Sequence, residues 1–152
     1  MDLSKYDKNT VLEAHKQALR NLYKRSLYLT CVSLLGYKDV NPRTHRDTIL
    51  ALESDANTVA AVKFHDHDET PGFGANIEKE SWTRHWGGKE ISDAAGAIVI
   101  EVVKGRAKGV HEVDGISGAT RTGNGISKLI RFWLGPDGYG PYLNRLRRGE
   151  MK

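Results

Sequence analysis

Ser117, Thr120 and Thr122 place three hydroxyls within six positions of the stretch Asp114-Gly-Ile-Ser-Gly-Ala-Thr-Arg-Thr-Gly-Asn-Gly125. The glycines and the asparagine around them tolerate backbone angles that other residues avoid. Directly afterwards Ile126, Leu129, Ile130, Trp133 and Leu134 recur at the spacing of one helical face. A hydroxyl- and glycine-rich turn that opens a helix suits a phosphate, because free backbone N–H groups and the positive end of the helix dipole both face the anion. The common nucleotide patterns, G-x-x-x-x-G-K-[ST] and G-x-G-x-x-G, are not what this stretch spells. An ordinary loop with Thr122 or Asn124 as N-cap is the plainer alternative.

Two further stretches carry chemistry-bearing side chains. His65-Asp-His67-Asp-Glu69 would set His65 and His67 on one side of a strand. With His111 they suggest a metal-dependent enzyme, but a two-residue spacing without a distant third ligand falls short of a zinc signature, and no metal ligand is assigned. Glu69-Thr70-Pro71-Gly72-Phe73-Gly74 reads as a turn that Pro71 stiffens and whose glycines let the backbone approach a neighbour closely. His111 and Glu112 read as surface residues. The aromatics Phe132, Trp133, Tyr139 and Tyr142 supply core area, or one of them a stacking face for a flat ring.

These residues need a scaffold. The 152 residues suit one domain, with 39% hydrophobic and 28% charged residues, the balance of a globular chain able to bury a core. The net charge of +4 suits an anionic ligand or membrane surface; no basic stripe points to nucleic acid. Arg145-Leu-Arg147-Arg148 reads as a solvated helix end. The single cysteine, Cys31, excludes an internal disulfide and a Cys-based metal motif, and its apolar surroundings read as a buried thiol. The longest mostly apolar run, 27–35, is well short of the roughly 20 residues that span a bilayer. Residues 1–26 are charged throughout, unlike a signal peptide.

Residues 1–47 read as an N-terminal helical region and 48–152 as the core, together one compact domain. Within the first part 5–35 reads as helix, with a stripe of Leu12, His15, Leu19, Leu22 and Tyr23, a cap at Asp7 or Asn9 and a stop at Gly36. From Thr48 the period changes. Thr48–Leu52 and Thr58–Phe64 read as a hairpin around the turn residues Ser54–Asn57. Residues 77–86 read as a short helix with Trp82 and Trp86 at i and i+4. Ala97–Val103 reads as the strongest strand, with Lys104-Gly105 as its exit. The fold class is α+β: a twisted, mostly antiparallel sheet flanked by helices.

Asp114-Gly-Ile-Ser-Gly-Ala-Thr120, followed by Arg-Thr122-Gly-Asn-Gly-Ile, resembles the flavinylation motif of the FMN-binding domain family. The continuation Phe132-Trp-Leu-Gly-Pro-Asp-Gly-Tyr139-Gly-Pro-Tyr142-Leu resembles the NqrC branch of that family, from the sodium-translocating NADH:quinone reductase. Glu69-Thr-Pro-Gly-Phe-Gly74 resembles a segment shared by NqrC and the related RnfG proteins of the Rnf complex. The resemblance runs from about residue 50 to 149. Arg121 departs from an apolar position of the motif, where it would help neutralise a phosphate, and Gly123 from a serine, removing one possible cap.

The resemblance implies an electron carrier with FMN attached covalently through a phosphoester to Thr120. It implies that Ser117, Gly118 and Ala119 supply hydroxyl and backbone donors around the phosphodiester and that Thr122, also part of the cofactor site, closes the turn. Asp114 would belong to the sequence that the modifying enzyme recognises, and Glu69, Thr70, Gly72 and Gly74 would lie beside the flavin. It further implies a partner flavin transferase that uses Mg and takes FAD as donor. The chain would be the substrate of that reaction rather than a catalyst alone. Other redox subunits of a membrane complex would be its neighbours in an NADH-to-quinone chain coupled to sodium movement, with the domain on the extracytoplasmic face. Proteins of this kind usually carry an N-terminal membrane anchor, so the chain reads as an excised domain or a divergent relative, soluble as given. An RnfG-type electron-transport protein, and a module of the same fold that binds an anion or a protein without covalent flavin, are the alternatives.

Overall fold

Buried Val62 and Phe64 alternate with exposed Lys63 and His65, at the end of the stretch that the sequence reads as strands. In the computed structural model, which describes residues 30–34 and 46–150, strands β1 (Thr30–Leu34), β2 (Arg46–Leu52) and β3 (Val59–His67) form an antiparallel sheet in that order. Thr30 stands opposite Leu52, Leu34 opposite Thr48, and Arg46 opposite His67. The expected hairpin is present. Asp55 holds its turn, accepting from the N–H groups of Asn57 and Thr58, both at 2.8 Å, and from the Thr58 hydroxyl at 2.6 Å.

Two irregularities in the β2–β3 register decide which side chains meet the core. Between Ala51 and Leu52 the pairing jumps from Ala61 to Val59, so Val59 and Val62 are both buried although three positions apart. Between Asp47 and Thr48 it jumps from Asp66 to Phe64, across His65. The extra residue ends the alternation, so His65 is exposed while the His67 side chain is only 8% exposed. The two histidines do not share a face.

β1 corrects the helix expected over 5–35: its last residues are extended. β-branched Thr30 and Val32 favour this, and pairing along β2 satisfies backbone groups that a helix would have satisfied internally. The stripe from Leu12 to Tyr23, the caps Asp7 and Asn9, the Gly36 stop and the Cys31 side chain lie outside what the structure describes.

The 77–86 helix is observed as a broken element: a 3-10 turn Gly74–Glu78, a single turn α1 (Glu80–Thr83) and a 3-10 turn Arg84–Trp86. It delivers Trp82 and Trp86 to Phe64, with ring centroids 5.8 to 6.5 Å apart. The strand expected over 97–103 is shorter than its sequence suggests. Only Glu101–Val102 (β4) forms a ladder, parallel to Glu112–Val113 (β5). Upstream the N–H groups of Val99 and Ile100 both go to the Ile91 carbonyl, and the chain is extended without continuous pairing.

Helix α2 (Thr120–Leu134) buries Ile126, Leu129, Ile130 and Leu134 as its spacing requires, with Trp133 half-buried. Each fully buried aliphatic side chain contributes about 1.5–3 kcal/mol by transfer from water. The buried Ser127 ties this face to β4: its hydroxyl accepts from the Val102 N–H at 2.9 Å and donates to the Gly123 carbonyl at 3.0 Å. After a turn at Gly135, helix α3 (Gly140–Arg147) opens on Pro141. Its Arg147 is no solvated end, because the guanidinium donates to the Ala56 carbonyl at 2.8 Å and clamps the hairpin turn. Among the described residues no helix is long and apolar enough to cross a membrane.

Ser127→Ala would leave the buried Val102 N–H without its acceptor, a change of about 1–3 kcal/mol. We expect urea denaturation to show a lower midpoint of this size with an unchanged slope; an unmoved midpoint would mean that the Ser127 link does not hold α2 on β4.

Candidate functional site

α2 begins earlier than its sequence suggests. Its cap position is Ala119, with no side-chain cap, instead of Thr122 or Asn124. The hydroxyl-rich stretch is therefore half loop and half helix. Gly118 supplies the turn with φ +75° and Ala119 closes it by donating to the Ile116 carbonyl at 3.0 Å. Helical bonding starts with the Gly123 N–H donating to the Ala119 carbonyl. Thr120, exposed, is thus the first residue of α2, where N–H groups without intrahelical partners and the positive dipole end lie.

Beside it opens a cavity of about 480 Å³, within the usual range of about 300–1,000 Å³ for small-molecule sites. One wall is the chain from Val102 to Arg106; the other runs from Asp114 through Ser117, Gly118 and Ala119 to Thr120, with Gly123 and Asn124 below. Exposed Lys104 and Arg106 give this wall positive charge. Sequence reasoning passed over both, taking Lys104-Gly105 as a strand exit; two cations flanking a glycine directly after an apolar strand were the available signal.

Asp114 organises the cavity from behind. Its carboxylate accepts from the Ala107 N–H at 2.7 Å and lies 3.1 Å from His85 Nδ1, while its carbonyl accepts from the Trp82 indole at 2.8 Å. The Ala107 N–H is the largest influence and, with His85 and Arg106, holds the carboxyl below the ordinary aspartate range although burial opposes it.

The Glu69–Gly74 segment reaches the hydroxyl-rich turn from the other side. The buried Thr122 donates to Glu69 Oε2 at 2.6 Å. A Cβ on Gly74 would collide with that carboxylate and lie 2.7 Å from the Thr122 hydroxyl. Thr70 and Gly72 are exposed and bonded within their own loop: the Thr70 carbonyl accepts from Phe73 and Ala75, the Gly72 carbonyl from the Asn76 side chain. Neither they, Glu69, Gly74 nor Thr122 belongs to the described cavity wall. Phe73, which sequence reasoning did not single out, lies against Gly118. Arg121 is exposed, and Gly123 is buried against Val102 inside α2, so neither departure from the motif sits at a cap.

The remaining candidates are dispersed. His67 Nδ1 receives the Glu69 N–H at 3.2 Å, and its Nε2 lies 2.9 Å from Glu78 Oε1, a close polar contact without the alignment of a hydrogen bond. His111 Nδ1 lies 3.0 Å from the Glu90 carbonyl. Among the described residues no three His, Cys, Asp or Glu side chains are grouped to hold a metal ion. Phe132 meets Trp133 edge to face with centroids 5.5 Å apart, and Tyr139 lies tilted against Trp133 at 5.9 Å. They lie near the far end of α2, roughly 18 Å along the axis from Thr120 at about 1.5 Å per residue. None of them lines the cavity, and Trp133 and Tyr139 pack on the core.

Residues 47–135 match the FMN-binding domain family, over most of the sheet, the cavity and the whole of α2. The chain belongs to this family. It is 45% identical over 105 residues to the C component (NqrC) of the Na(+)-translocating NADH-quinone reductase of Yersinia pestis, covering 68% of this chain and 40% of the relative. With the same component of the Pseudomonas aeruginosa reductase it shares 44% over 106 residues, or 66% and 41% of the two chains. The chain thus spans about two-fifths of the length of the curated relatives it matches. Its fold is similar to the crystal structure of Shewanella oneidensis NqrC, with a TM-score of 0.70 and 32% identity over 81% of this chain and 55% of that one. For the corresponding protein from Parabacteroides distasonis the TM-score is 0.60 at 30% identity, with 77% and 56% covered. The likeness to NqrC and the α+β class read from the sequence both stand.

Because the Asp114 carboxyl is held below its unfolded value, its contribution to stability is full above about pH 4 and is lost as pH falls through the lowered value. Asp114→Asn is expected to lower stability by about 1 kcal/mol at pH 7, and the gap between variant and parent should close near pH 2. Urea midpoints of both chains at the two pH values would test this; a gap that is constant with pH would assign the loss to packing instead of charge.

Proposed function

We propose that this domain is an electron-carrier flavoprotein whose FMN is held by a phosphoester to Thr120. The observation that carries the reading is the placement of the Thr120 hydroxyl: exposed, on the first residue of α2, at the edge of a cavity walled by Lys104 and Arg106. Such a site fits a phosphate at its helix end and leaves room beside it for a larger body.

The division of labour follows from the residues. Thr120 would supply the ester oxygen. Ser117 and the backbone of Gly118 and Ala119 would present hydroxyl and N–H donors to the phosphate, and Lys104 and Arg106 would balance its charge. Asp114 would act indirectly, by fixing the loop on which those donors stand. Glu69, Thr70, Gly72, Gly74 and Thr122 would support the turn from the opposite side.

A threonine hydroxyl is a weak nucleophile until a base or metal activates it. The carboxylate in the cavity wall, Asp114, is turned to Ala107 and His85. This supports a separate, Mg-dependent flavin transferase as the catalyst. Thr120 Oγ1 would bond to the flavin-side phosphorus of FAD as the bond to AMP breaks and AMP leaves with the proton. Bound FMN supplies reversible electron transfer, and the protein orients it and tunes its surroundings. By likeness to NqrC, the domain would pass electrons between redox subunits of a membrane-bound, sodium-translocating NADH:quinone chain, on the extracytoplasmic face.

Co-expression with a flavin transferase, followed by intact-mass measurement under denaturing conditions, tests this. We expect a gain of one esterified FMN on the peptide that contains Thr120, and no gain in Thr120→Val, whose melting temperature should match the parent. An unmodified parent chain, beside a transferase active on a control substrate, would reject covalent attachment.

A further inference from the structure

We infer that the Glu69–Thr122 hydrogen bond is a latch that positions Phe73 behind the attachment turn, making Glu69 and Thr122 positioning residues for modification of Thr120. The inference rests on the attachment proposed above.

Helix geometry separates the two threonines. Successive residues of an α-helix are rotated by about 100°, so Thr122 points some 160° away from Thr120. Thr120 is exposed at the cavity, whereas Thr122 is 5% exposed and donates to a carboxylate 53 residues earlier in the chain. A hydrogen bond to a carboxylate is among the stronger kinds, and this one joins the 69–74 loop to the first turn of α2.

The loop on the far side of the bond is stiff enough to transmit it. The Thr70 carbonyl receives both the Phe73 and the Ala75 N–H, at 3.2 and 3.1 Å, and the Asn76 side chain holds the Gly72 carbonyl. The absence of a side chain at Gly74 lets this segment close on the Glu69 carboxylate and the Thr122 hydroxyl. Phe73 is then delivered to Gly118: its Cδ1 would lie 3.0 Å from a Cβ at that position. Gly118 is itself part of the cavity wall, one residue from Ala119 and two from Thr120. Phe73 keeps 56% of its surface exposed, with its ring edge set against this glycine turn. Without the latch the 69–74 loop would be free to move off Gly118, and the turn would meet a transferase in many shapes instead of one.

The test uses the full chain before modification, a flavin transferase and FAD, with attachment followed by intact mass at several chain concentrations. Thr122→Val keeps the shape and removes the donor; Thr122→Ser keeps the donor. We expect Thr122→Val and Glu69→Ala to lower kcat/KM for attachment about tenfold, mainly through KM, as for loss of one hydrogen bond to a charged group. Thr122→Ser should stay within about twofold of the parent. In the unmodified chain, amide exchange at Phe73 and Ala75 should rise about tenfold in Thr122→Val and remain parental in Thr122→Ser. Should Thr122→Val fail to fold, Phe73→Ala decides, because it removes the group that the latch sets in place: slowed attachment supports the latch. Parental attachment rates and parental exchange in Thr122→Val, or a parental rate in Phe73→Ala, would overturn it. A parent chain that is never modified would reject attachment at Thr120, while the exchange measurement would still judge the Glu69–Thr122 bond.

Discussion

The docking of α2 on β4 is the constraint on which the rest of this structure depends. Both walls of the cavity belong to these two elements or to the loops that leave and enter them. Ser127 fixes their separation by satisfying a backbone N–H that a two-residue strand leaves over. Ile126, Leu129 and Ile130 add area on the same face. The charged rim and the exposed hydroxyl of Thr120 are carried on this pair and on the loops that Asp114 and Glu69 brace. Backbone amides at a helix start cannot be aimed by rotating a side chain, so the aim has to come from the seating of the whole helix.

Behind this pair stands a core of aromatic rings. Phe64, Trp82 and Trp86 fill the space between β3 and the broken element 74–86. Trp82 also reaches out of the core, through its indole N–H, to the carbonyl of Asp114. Packing and site geometry therefore meet in one side chain. The Asp114 carboxylate continues the connection to the 104–107 loop, so the cationic wall of the cavity is tied to the same core.

What could be read from sequence was whatever depends on local pattern. The hairpin, the helical face after the hydroxyl-rich stretch and the family motif were legible, because alternation, 3.6-residue spacing and residue types carry them. What was missed depends on distant partners. Thr30–Leu34 is a strand because β2 lies beside it. The Ala97–Val103 run forms only a two-residue ladder because its partner changes along its length, from Ile91 at Val99 and Ile100 to 111–113 at Glu101 and Val103. A single inserted position at His65 undid the shared face of two histidines, and register shifts leave no mark in composition. The helix cap moved from Thr122 or Asn124 to Ala119, after the positive-φ turn at Gly118, and Thr122 inside the first turn gives its hydroxyl proton to Glu69, far away in sequence.

The cavity is assembled from stretches that meet only after folding. Residues 102–106, 114–120, 123 and 124 form its walls, and 69–74 backs one of them from across the chain. An unfolded or half-docked chain contains the same hydroxyls in the same order but offers no cavity, no aligned amides and no braced turn. An enzyme that modifies the chain by recognising this arrangement would sense tertiary structure as well as sequence, and a tag added there would record that the chain had already reached its native state.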